Sequence, residues 1–379
     1  MRIAIVHDWL DTWGGAELAL EQLLSLYPAA ELYTLVDFMS SADRARLGAR
    51  SIHTSFIQQL PFARTGFRRY LPLFPRAIER FDVAGYDLVL SSSHAVAKGV
   101  RTTPAQLHIC YCYTPMRYAW DLQDQYLAQV GLAHGLRGRV VRRSLARLRA
   151  WDRGASKRVS HFVAISHAIA ERIRRCYGRE STVIYPPVAT PVQEREPART
   201  KAYVTVSRLV PYKRVDLIVA AFRLLPDREL VVIGDGPERA RVEANAGPNV
   251  RLLGRTSDGV RDQWLAEARA FVFAADEDFG IAPLEAQARG TPVIAYGRGG
   301  ALETILALDA VAPTGVYFAE QTPEAIAAAV REYEANAARI SVAACRANAA
   351  RFSDGRFRGE FAAFVATHQA RFNLGERAQ

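Results

Sequence analysis

The chain has 379 residues, more than one hydrophobic core usually organises, so two domains are expected. Half of the residues are hydrophobic and 23% are charged, an ordinary globular composition, and no run approaches the roughly 18–20 apolar residues of a membrane span. The formal net charge of +10 predicts an anionic partner: a nucleotide, a nucleic acid or an acidic membrane. Charge alone does not choose among these three.

The four cysteines and the N-terminus predict a cytoplasmic protein. Four cysteines are too few for a disulfide framework in a chain of this length. Cys110 and Cys112 share one face of an apolar segment, but no second pair has metal-ligand spacing, so a zinc site is not expected. The first apolar run is too short for a signal peptide and has no cleavage site after it. We therefore expect a protein that is soluble or peripherally bound to a membrane.

Short β-branched apolar runs alternate with helical patterns along most of the chain. This alternation predicts an α/β fold with two doubly wound, Rossmann-like parallel-sheet domains facing a cleft. Such sheets bind ligands at the carboxyl ends of their strands. The predicted strands form two series, at 3–7, 88–91, 108–113, 161–165 and 182–185, and then at 202–207, 230–233, 250–253, 270–273 and 292–295.

The seam between the two series predicts the domain boundary. Pro186 and Pro187 stiffen the chain and exclude a helix there, and a polar stretch at 190–201 without periodicity follows. We expect an N-terminal domain at 1–187 and a C-terminal domain at 188–354. The tail has aromatic residues at helical spacing, and we expect its helix, at about 355–379, to pack back on the first domain.

Glycines and cations follow the first strand of each series. Gly14 and Gly15 lie at a strand-to-helix turn, where the backbone can approach a ligand and a helix start offers N–H groups to an anion; a tight turn needed for packing is the alternative. The turn lacks the Gly-x-Gly-x-x-Gly dinucleotide pattern, as does Gly-Asp-Gly at 234–236. Arg208 and Lys213 follow the first strand of the second series, and both suit a diphosphate, with a solvated loop as the alternative.

The segment at 271–304 places two carboxylates around a Phe-Gly-Ile turn. Glu277 ends a predicted strand and Glu285 lies in the helix that follows, so Glu285 can reach toward a ribose diol. The backbone of Phe279, Gly280 and Ile281 would offer N–H groups to a sugar or a phosphate. An Asp-x-Asp metal site at 276–278 is the weaker interpretation, because cations for the phosphates already lie at 208–213.

Together these segments resemble the retaining GT-B glycosyltransferases of family 4, over nearly the whole chain. The resemblance lies in Gly-Gly-Ala-Glu at 14–17, Ser-Arg through Lys at 207–213, Gly-Asp-Gly-Pro at 234–237 and Glu-x7-Glu at 277–285. Within that family, 111–120 and 299–304 are similar to segments of bacterial mannosyltransferases that build O-antigen and exopolysaccharide.

The resemblance implies roles for matched positions. Arg208 and Lys213 would neutralise the donor diphosphate, Glu285 would bind the ribose and Glu277 would face the sugar hydroxyls. His94 matches a histidine near the reacting sugar, although a lone histidine is more often structural. Arg117 and Tyr113 would contact the acceptor, and Tyr113 stands where relatives often have histidine, which puts proton handling there in doubt. The resemblance implies that the first domain binds the acceptor and the second the donor. The implied catalytic residues are His94, Arg208, Lys213 and Glu277, and the implied donor-binding residues are Gly14, Gly15, Arg208, Lys213, Phe279, Gly280, Ile281 and Glu285.

Two basic segments predict a membrane surface as a further partner. Nine basic residues and one acid, Asp152, lie within 137–158, and 62–81 mixes five arginines with aromatic residues. Basic amphipathic helices with aromatic belts suit anionic membranes, whereas an ordinary solvated helix is the alternative. No nucleic-acid-binding motif is present, so a nucleic-acid partner is not expected.

The resemblance implies a metal-independent retaining hexosyltransferase that needs no cofactor. It would move a hexose, with mannose from GDP-mannose favoured, to a hydroxyl of a lipid-linked saccharide in cell-surface polysaccharide biosynthesis. Its expected partners are the nucleotide sugar, that acceptor and the anionic inner membrane. The alternatives are a nucleotide-sugar epimerase of the same architecture and a non-catalytic, membrane-associated protein that binds nucleotide sugars.

Overall fold

A computed structural model describes residues 1–49, 51–121, 123, 127, 135–190 and 198–375. The chain divides into two compact units. The first unit comprises Met1–Pro187 and Phe357–Gln379, and the second comprises Val188–Arg356. Within the described residues, no helix combines the length and the apolar character that a membrane crossing needs.

The first unit is built on a seven-stranded sheet in which every neighbouring pair is parallel. The strand order is β3-β2-β1-β4-β5-β6-β7, so the order reverses between β1 and β4. The strands are β1 (Ile3–His7), β2 (Glu31–Thr34), β3 (Ile52–Thr54), β4 (Leu88–Ser93), β5 (Leu107–Cys112), β6 (His161–Ala164) and β7 (Ser181–Val183).

Most of these parallel strands are connected through α-helices, whereas a short 3-10 turn at Ala97–Gly99 lies between β4 and β5. Before the domain boundary, the described residues of this unit form helices α1 (Gly15–Leu26), α2 (Ser41–Leu47), α3 (Ala63–Gly66), α4 (Phe74–Ile78), α5 (Gly135–Ser156) and α6 (His167–Tyr177). Local signals set several of their ends: the Ser166 hydroxyl accepts the N–H of Ile169 at the start of α6, and Gly178 ends that helix in the left-handed conformation.

The chain's last helix, α14 (Asp354–Asn373), returns to the first unit. Phe357 and Phe361 are fully buried, and their rings lie 5.5 Å and 5.9 Å from the ring of Tyr111 on β5. The aromatic residues of the tail therefore form one stripe along α14 that packs against β5 of this sheet.

The second unit has a six-stranded parallel sheet of order β10-β9-β8-β11-β12-β13, with its reversal between β8 and β11. Successive residues of its strands enter opposite cores: Phe271 and Phe273 belong to one hydrophobic cluster and Val272 to the other. Both faces are thus covered, as in other all-parallel sheets. Its strands are β8 (Tyr203–Val206), β9 (Leu230–Ile233), β10 (Val250–Gly254), β11 (Phe271–Phe273), β12 (Val293–Tyr296) and β13 (Gly315–Phe318).

Helices cover both faces of this second sheet. They are α7 (Val215–Arg223), α8 (Arg239–Ala244), α9 (Asp258–Glu267), α10 (Ile281–Ala288), α11 (Ala301–Thr304), α12 (Pro323–Asn336) and α13 (Val342–Ala350). The predicted pair of parallel-sheet α/β domains is confirmed. Three strands were not predicted, namely β2, β3 and β13, because they are three or four residues long and lack a sustained β-branched run.

Candidate active site

Each sheet positions its candidate residues where the strand order reverses, the usual ligand site of open parallel sheets. In the first unit, Asp8 directly follows β1 and His94 directly follows β4. In the second unit, the loop after β8 includes Arg208 and Lys213, and Glu277 follows β11. The topology therefore explains why residues far apart in sequence gather at one sheet edge within each unit.

The carboxylate of Asp8 organises the loop after β4. It is fully buried and accepts four backbone N–H groups: those of His94 and Ala95 at 2.6 Å and 2.8 Å, and those of Val96 and Ala97 at 2.6 Å and 2.7 Å. Burial opposes ionisation, but the nearby histidines His94 and His7 and these N–H donors lower the pKa of Asp8 below its ordinary value. Asp8 is therefore an anion at neutral pH.

The His94 imidazole lies beside this carboxylate and remains partly exposed. Its Nδ1 is 3.2 Å from the Asp8 Oδ2, and 26% of its side chain is accessible. The ring meets Trp9 edge-on at a centroid distance of 4.5 Å. Burial lowers the pKa of His94, and the negative charge of Asp8 opposes that shift only in part, so the imidazole is neutral at pH 7.

Tyr113 binds the backbone next to the glycine turn at 14–15. It is 9% exposed, and its hydroxyl makes hydrogen bonds of 2.9 Å with the Ser92 hydroxyl and with the Ala16 carbonyl, to which it donates. Burial raises the pKa of Tyr113. This hydroxyl is thus occupied by protein groups and holds the start of α1, whereas Arg117, which follows β5, is half-buried.

A side chain at the first position of the glycine turn would crowd one flexible neighbour and no backbone atom. Gly14 is the N-cap of α1 with extended backbone, φ −158°, which any residue adopts. A Cβ there would lie 3.2 Å from one flexible atom, the Glu17 Oε2, and Gly15 begins the helix. Packing therefore does not demand glycine at position 14, which favours the interpretation that the backbone there approaches a ligand.

In the second unit, a half-buried ion pair joins the loops after β8 and β11. Lys213 ends a short 3-10 turn, and its ammonium binds the carboxylate of Glu277; each side chain is 17% exposed. The ammonium also lies 5.4 Å from the centre of the Tyr212 ring. Arg208, in the same loop, is exposed. The structure thus gathers two predicted cations and one predicted carboxylate at this sheet edge.

The chain from Glu277 to α10 is shaped by a neighbouring glycine pair. Gly280 has φ +87° and is the N-cap of α10, Ile281 is the first residue of that helix, and Phe279 is buried. The Gly300 N–H donates to the Glu277 carbonyl at 2.8 Å. A Cβ at position 300 would collide with the Phe279 backbone, so the Gly-Gly at 299–300 is required for this close approach.

Glu285 lies in the second turn of α10 and is half-buried. Burial raises the pKa of this carboxyl, although Arg261 and Arg289 oppose the shift. Arg289 is held by Asp262 at 2.7 Å. Glu285 therefore loses its charge at a higher pH than an ordinary glutamate.

The Gly-Asp-Gly segment at 234–236 has a packing role. Gly234 has φ +136°, and a Cβ there would collide with the Ser207 carbonyl oxygen, as one at Gly236 would with that of Leu209. The Leu209 N–H donates to the Asp235 carbonyl at 3.0 Å. These glycines let the loop after β9 lie directly against the loop of Arg208.

Among the described residues, no group of three His, Cys, Asp or Glu side chains is placed to hold a metal ion. Asp8 and Glu17 were not among the predicted site residues. Glu17 is buried, and one of its oxygens lies 3.5 Å from the His7 Nε2. The only sequence signal for Asp8 is its place directly after the first strand, whereas Glu17 belongs to the recognised motif at 14–17.

Comparison with known families identifies the fold family. Residues 13–191 match the family described as Glycosyltransferase Family 4, and residues 189–352 match the family described as Glycosyl transferases group 1. The chain belongs to the family 4 GT-B glycosyltransferases. The predicted family is thereby confirmed.

Two curated relatives align with part of the chain. One is a GDP-mannose-dependent monoacylated alpha-(1-6)-phosphatidylinositol monomannoside mannosyltransferase of Corynebacterium glutamicum, 37% identical over 114 residues, which are 26% of this chain and 30% of that protein. The other is a phosphatidyl-myo-inositol mannosyltransferase of Propionibacterium freudenreichii, 40% identical over 91 residues, or 22% of each chain. The chain spans less than a third of the length of either relative.

Solved structures share the fold over the whole length. Anabaena HepE in complex with UDP and glucose has a TM-score of 0.70 at 19% identity, covering 97% of this chain and 99% of HepE. A sucrose-phosphate synthase from Thermosynechococcus elongatus has a TM-score of 0.74 at 19% identity, covering 98% and 100%. At these identities the likeness shows the GT-B fold alone.

Proposed function

We propose that this protein is a retaining glycosyltransferase that moves a hexose from a nucleoside-diphosphate sugar to an acceptor hydroxyl. The observation that carries the proposal is the cluster of Arg208, Lys213 and Glu277 at the strand-order reversal of the second sheet. It offers two cations to a diphosphate and one carboxylate to sugar hydroxyls, within a family of glycosyltransferases.

The roles follow from charge and exposure. Exposed Arg208 and half-buried Lys213 would stabilise the negative charge that develops on the leaving diphosphate, which lets the reaction proceed without a metal ion or another cofactor. Glu277, held by Lys213, would accept hydrogen bonds from sugar hydroxyls. Glu285 would bind the ribose, and the backbone at 279–281 and at 14–15 would approach the donor. The departing phosphate would take the acceptor's proton on the same face, so configuration is kept.

Mannose from GDP-mannose is the favoured donor in this proposal. The support is the pair of relatives whose names specify mannosyl transfer, one of them from GDP-mannose, together with the mannosyltransferase-like segments at 111–120 and 299–304. A lipid-linked saccharide of cell-surface polysaccharide synthesis is the proposed acceptor, with Arg117 among its contacts.

A basic stripe on α5 supports docking to the anionic face of the inner membrane. We define the stripe by exposed residues of this helix, namely Arg139, Val140, Arg143, Arg147 and Arg153. Val140 is 69% exposed, an apolar side chain among cations. Such a mixture suits a surface of anionic lipid headgroups.

The second basic segment, 62–81, differs from its predicted form. Phe67 and Phe74 are 3% and 1% exposed and belong to the core, so they form no outward aromatic belt. Phe62 alone among its aromatic rings is largely exposed, at 77%, beside the exposed Arg64. Glu79 connects this segment to α5, because it accepts from the Trp151 indole at 2.8 Å and pairs with Arg158 at 3.1 Å.

A transfer assay tests the proposed activity. The protein is incubated with a panel of nucleoside-diphosphate sugars, with and without a lipid-linked saccharide, and products are separated by mass spectrometry. Transfer that needs the acceptor, from GDP-mannose above other donors, is expected. Conversion of the sugar without acceptor would instead indicate an epimerase. Donor binding by calorimetry without any turnover would indicate a non-catalytic binding protein.

Vesicle co-sedimentation tests the membrane surface separately. Wild-type protein should bind phosphatidylglycerol vesicles and not phosphatidylcholine vesicles, and R143E/R147E should lose that binding. A matched charge reversal in the second unit, R223E/R331E, changes two exposed arginines outside the stripe and should bind as wild type does. Equal loss in both variants, or binding independent of anionic lipid, would contradict membrane docking through α5.

A further inference from the structure

Both oxygens of the buried Asp8 carboxylate are occupied by hydrogen bonds from the protein backbone. Its two oxygens accept four successive backbone N–H groups, from His94 to Ala97. These residues lie 86 to 89 positions away in sequence, so the contact is made only by the fold. Asp8 therefore determines the path of the chain directly after β4, including the backbone of His94.

The same carboxylate faces the His94 ring. An Nδ1 lone pair placed 3.2 Å from a carboxylate oxygen would be repelled, whereas an Nδ1–H at that distance is attracted. Trp9 fixes the ring from another side, edge-on at 4.5 Å. The negative charge of Asp8 therefore favours a proton on Nδ1, and the Trp9 contact restricts rotation of the ring.

We propose that Asp8 is a positioning residue that holds His94 with its proton on Nδ1, so that Nε2 presents a lone pair to a hydroxyl of the sugar substrate. The part that concerns the sugar rests on the proposed glycosyl transfer. The ligand group is of a definite class: a neutral Nε2 acceptor suits an O–H donor and does not suit a phosphate oxygen. His94 thereby differs in chemistry from Arg208 and Lys213, which suit the diphosphate.

Some charged and titratable groups around His94 raise its pKa and others lower it. Asp8 and Glu17 favour the imidazolium, whereas His7 and Arg68 disfavour it. Tyr113, whose ring centre is 6.2 Å away, is neutral because burial raises its pKa. Since burial is the largest influence and lowers the pKa of His94, the neutral form that can accept a hydrogen bond prevails at pH 7.

Nitrogen NMR on the wild-type protein tests the tautomer directly. The eight histidines are labelled with ¹⁵N, and the His94 signals are assigned as those lost in H94Q. At pH 7 we expect a neutral His94 with protonated Nδ1 and unprotonated Nε2. A protonated Nε2, or an imidazolium at pH 7, would overturn the proposal. This measurement needs no substrate, so it is independent of whether the proposed transfer reaction is found.

The variant D8N tests whether Asp8 is responsible. The loss of the negative charge should lower the pKa of His94 further, so the acid limb of the kcat/KM profile moves to lower pH. The value of kcat/KM at pH 7 should fall roughly ten- to hundredfold, as when an orienting partner is removed. An acid limb that stays in place would overturn the assignment.

Asp152 provides a matched control. It is equally buried in the same unit, pairs with Lys98 at 2.7 Å and accepts from the Trp120 indole and the Tyr177 hydroxyl. D152N should destabilise the fold without moving the His94 titration. A shift of the acid limb in D152N equal to that in D8N would show a general structural effect and overturn the proposal. If D8N does not fold, the wild-type tautomer measurement decides alone.

Discussion

Both sheets have charged residues where the strand order reverses, but the burial and the partners of these charges differ between the two units. In the first unit, the Asp8 carboxylate is fully buried and its hydrogen bonds go to protein backbone. In the second unit, Lys213 and Glu277 are half-buried and pair with one another, and Arg208 is exposed. A charge whose partners are backbone groups shapes a loop, whereas a charge at an accessible surface can exchange its partner for a ligand.

This difference distinguishes a region that positions a side chain, in the first unit, from a region that can bind a ligand, in the second unit. The first region offers one partly exposed neutral ring, His94, on a loop that Asp8 holds. The second offers accessible cations. We therefore expect substitutions in the second region to change turnover most, and substitutions that alter backbone packing to change stability most.

The largest expected effect tests the cations of the second region. K213A and R208A should each lower kcat by roughly 10²-fold or more, because each removes one group that stabilises the leaving diphosphate. K213A additionally leaves the half-buried Glu277 carboxylate without its ammonium partner. The measurement is kcat at saturating nucleotide sugar.

A matched control separates this effect from a general loss of positive charge. Arg223 is an exposed arginine at the end of α7, outside the cluster, and R223A should retain wild-type kcat. Near-normal turnover in both K213A and R208A would show that the diphosphate is bound elsewhere, and the contrast between the two regions would lose its basis.

The next effect compares the glycine turns of the two units. G234A should lower the free energy of unfolding by roughly 2–3 kcal/mol, because φ +136° is strained for alanine and its Cβ would collide with the Ser207 carbonyl. G14A should cost under about 1 kcal/mol, because its extended backbone accepts alanine. Calorimetric unfolding of both variants gives the comparison.

Activity then shows what Gly14 does. If the backbone at 14–15 approaches the donor, G14A should weaken donor binding while remaining folded. A variant with wild-type stability and wild-type donor affinity would leave Gly14 with no role in the site. A strongly destabilised G14A would instead support the alternative that glycine is required there for packing.

Sequence patterns predicted what depends on local runs and missed what depends on distant partners. Leu230–Ile233 was predicted with its observed bounds because four buried apolar residues follow one another. Ile52–Thr54 was missed because it has three residues, of which two are exposed. The role of Asp8 could not be predicted, since a single aspartate has no spacing signal and its partners lie on a loop more than eighty positions away.

Burial explains the remaining differences at the candidate site. The aromatic residues Phe67 and Phe74 have a spacing that fits either a core or a surface belt, and only tertiary packing shows that they are buried. Tyr113 likewise was a predicted acceptor contact, and the structure places its hydroxyl against Ser92 and Ala16. The ion pair of Lys213 with Glu277 brings together two residues that were predicted separately.

A smaller effect concerns Glu285 in the second region. E285Q should weaken donor binding about tenfold, because a hydrogen bond to a charged group contributes about 1.5–3 kcal/mol. Burial raises the pKa of the wild-type carboxyl above 4.5, so wild-type affinity should decline as pH falls toward that raised value. In E285Q this decline should be absent. Calorimetry from pH 7 to pH 5 measures both, and unchanged affinity in E285Q would exclude the ribose contact.

The smallest expected effect lies at the opposite side of the first unit from the Asp8 loop, where α14 meets β6. The rings of His161 and His368 lie 3.8 Å apart, between centroids, beside Phe364. Burial lowers the pKa of His161 to about 4, and positive charge on His368, Arg179 and Arg371 adds to the shift. An unfolded histidine titrates near 6.5.

The sign of the pH dependence follows from that lowered pKa. Between about pH 6.5 and pH 4 the unfolded chain binds this proton and the folded chain does not, so stability is complete above 6.5 and declines as pH falls. Partial exposure limits the contribution to about 1 kcal/mol. Asp8, whose pKa is lowered, remains ionised in this window, but His94 and His108 also titrate abnormally, so only a difference between variants isolates the pair.

H368F provides that difference, because phenylalanine keeps a ring against His161 and removes the second titrating group. The free energy of unfolding is measured at pH 7 and pH 5 for both proteins. We expect H368F to lose less stability on acidification than wild type, since His161 no longer faces a second cation. Equal losses would mean that the His161–His368 pair does not couple to pH and that the acid sensitivity of the first unit originates with His94 and His108.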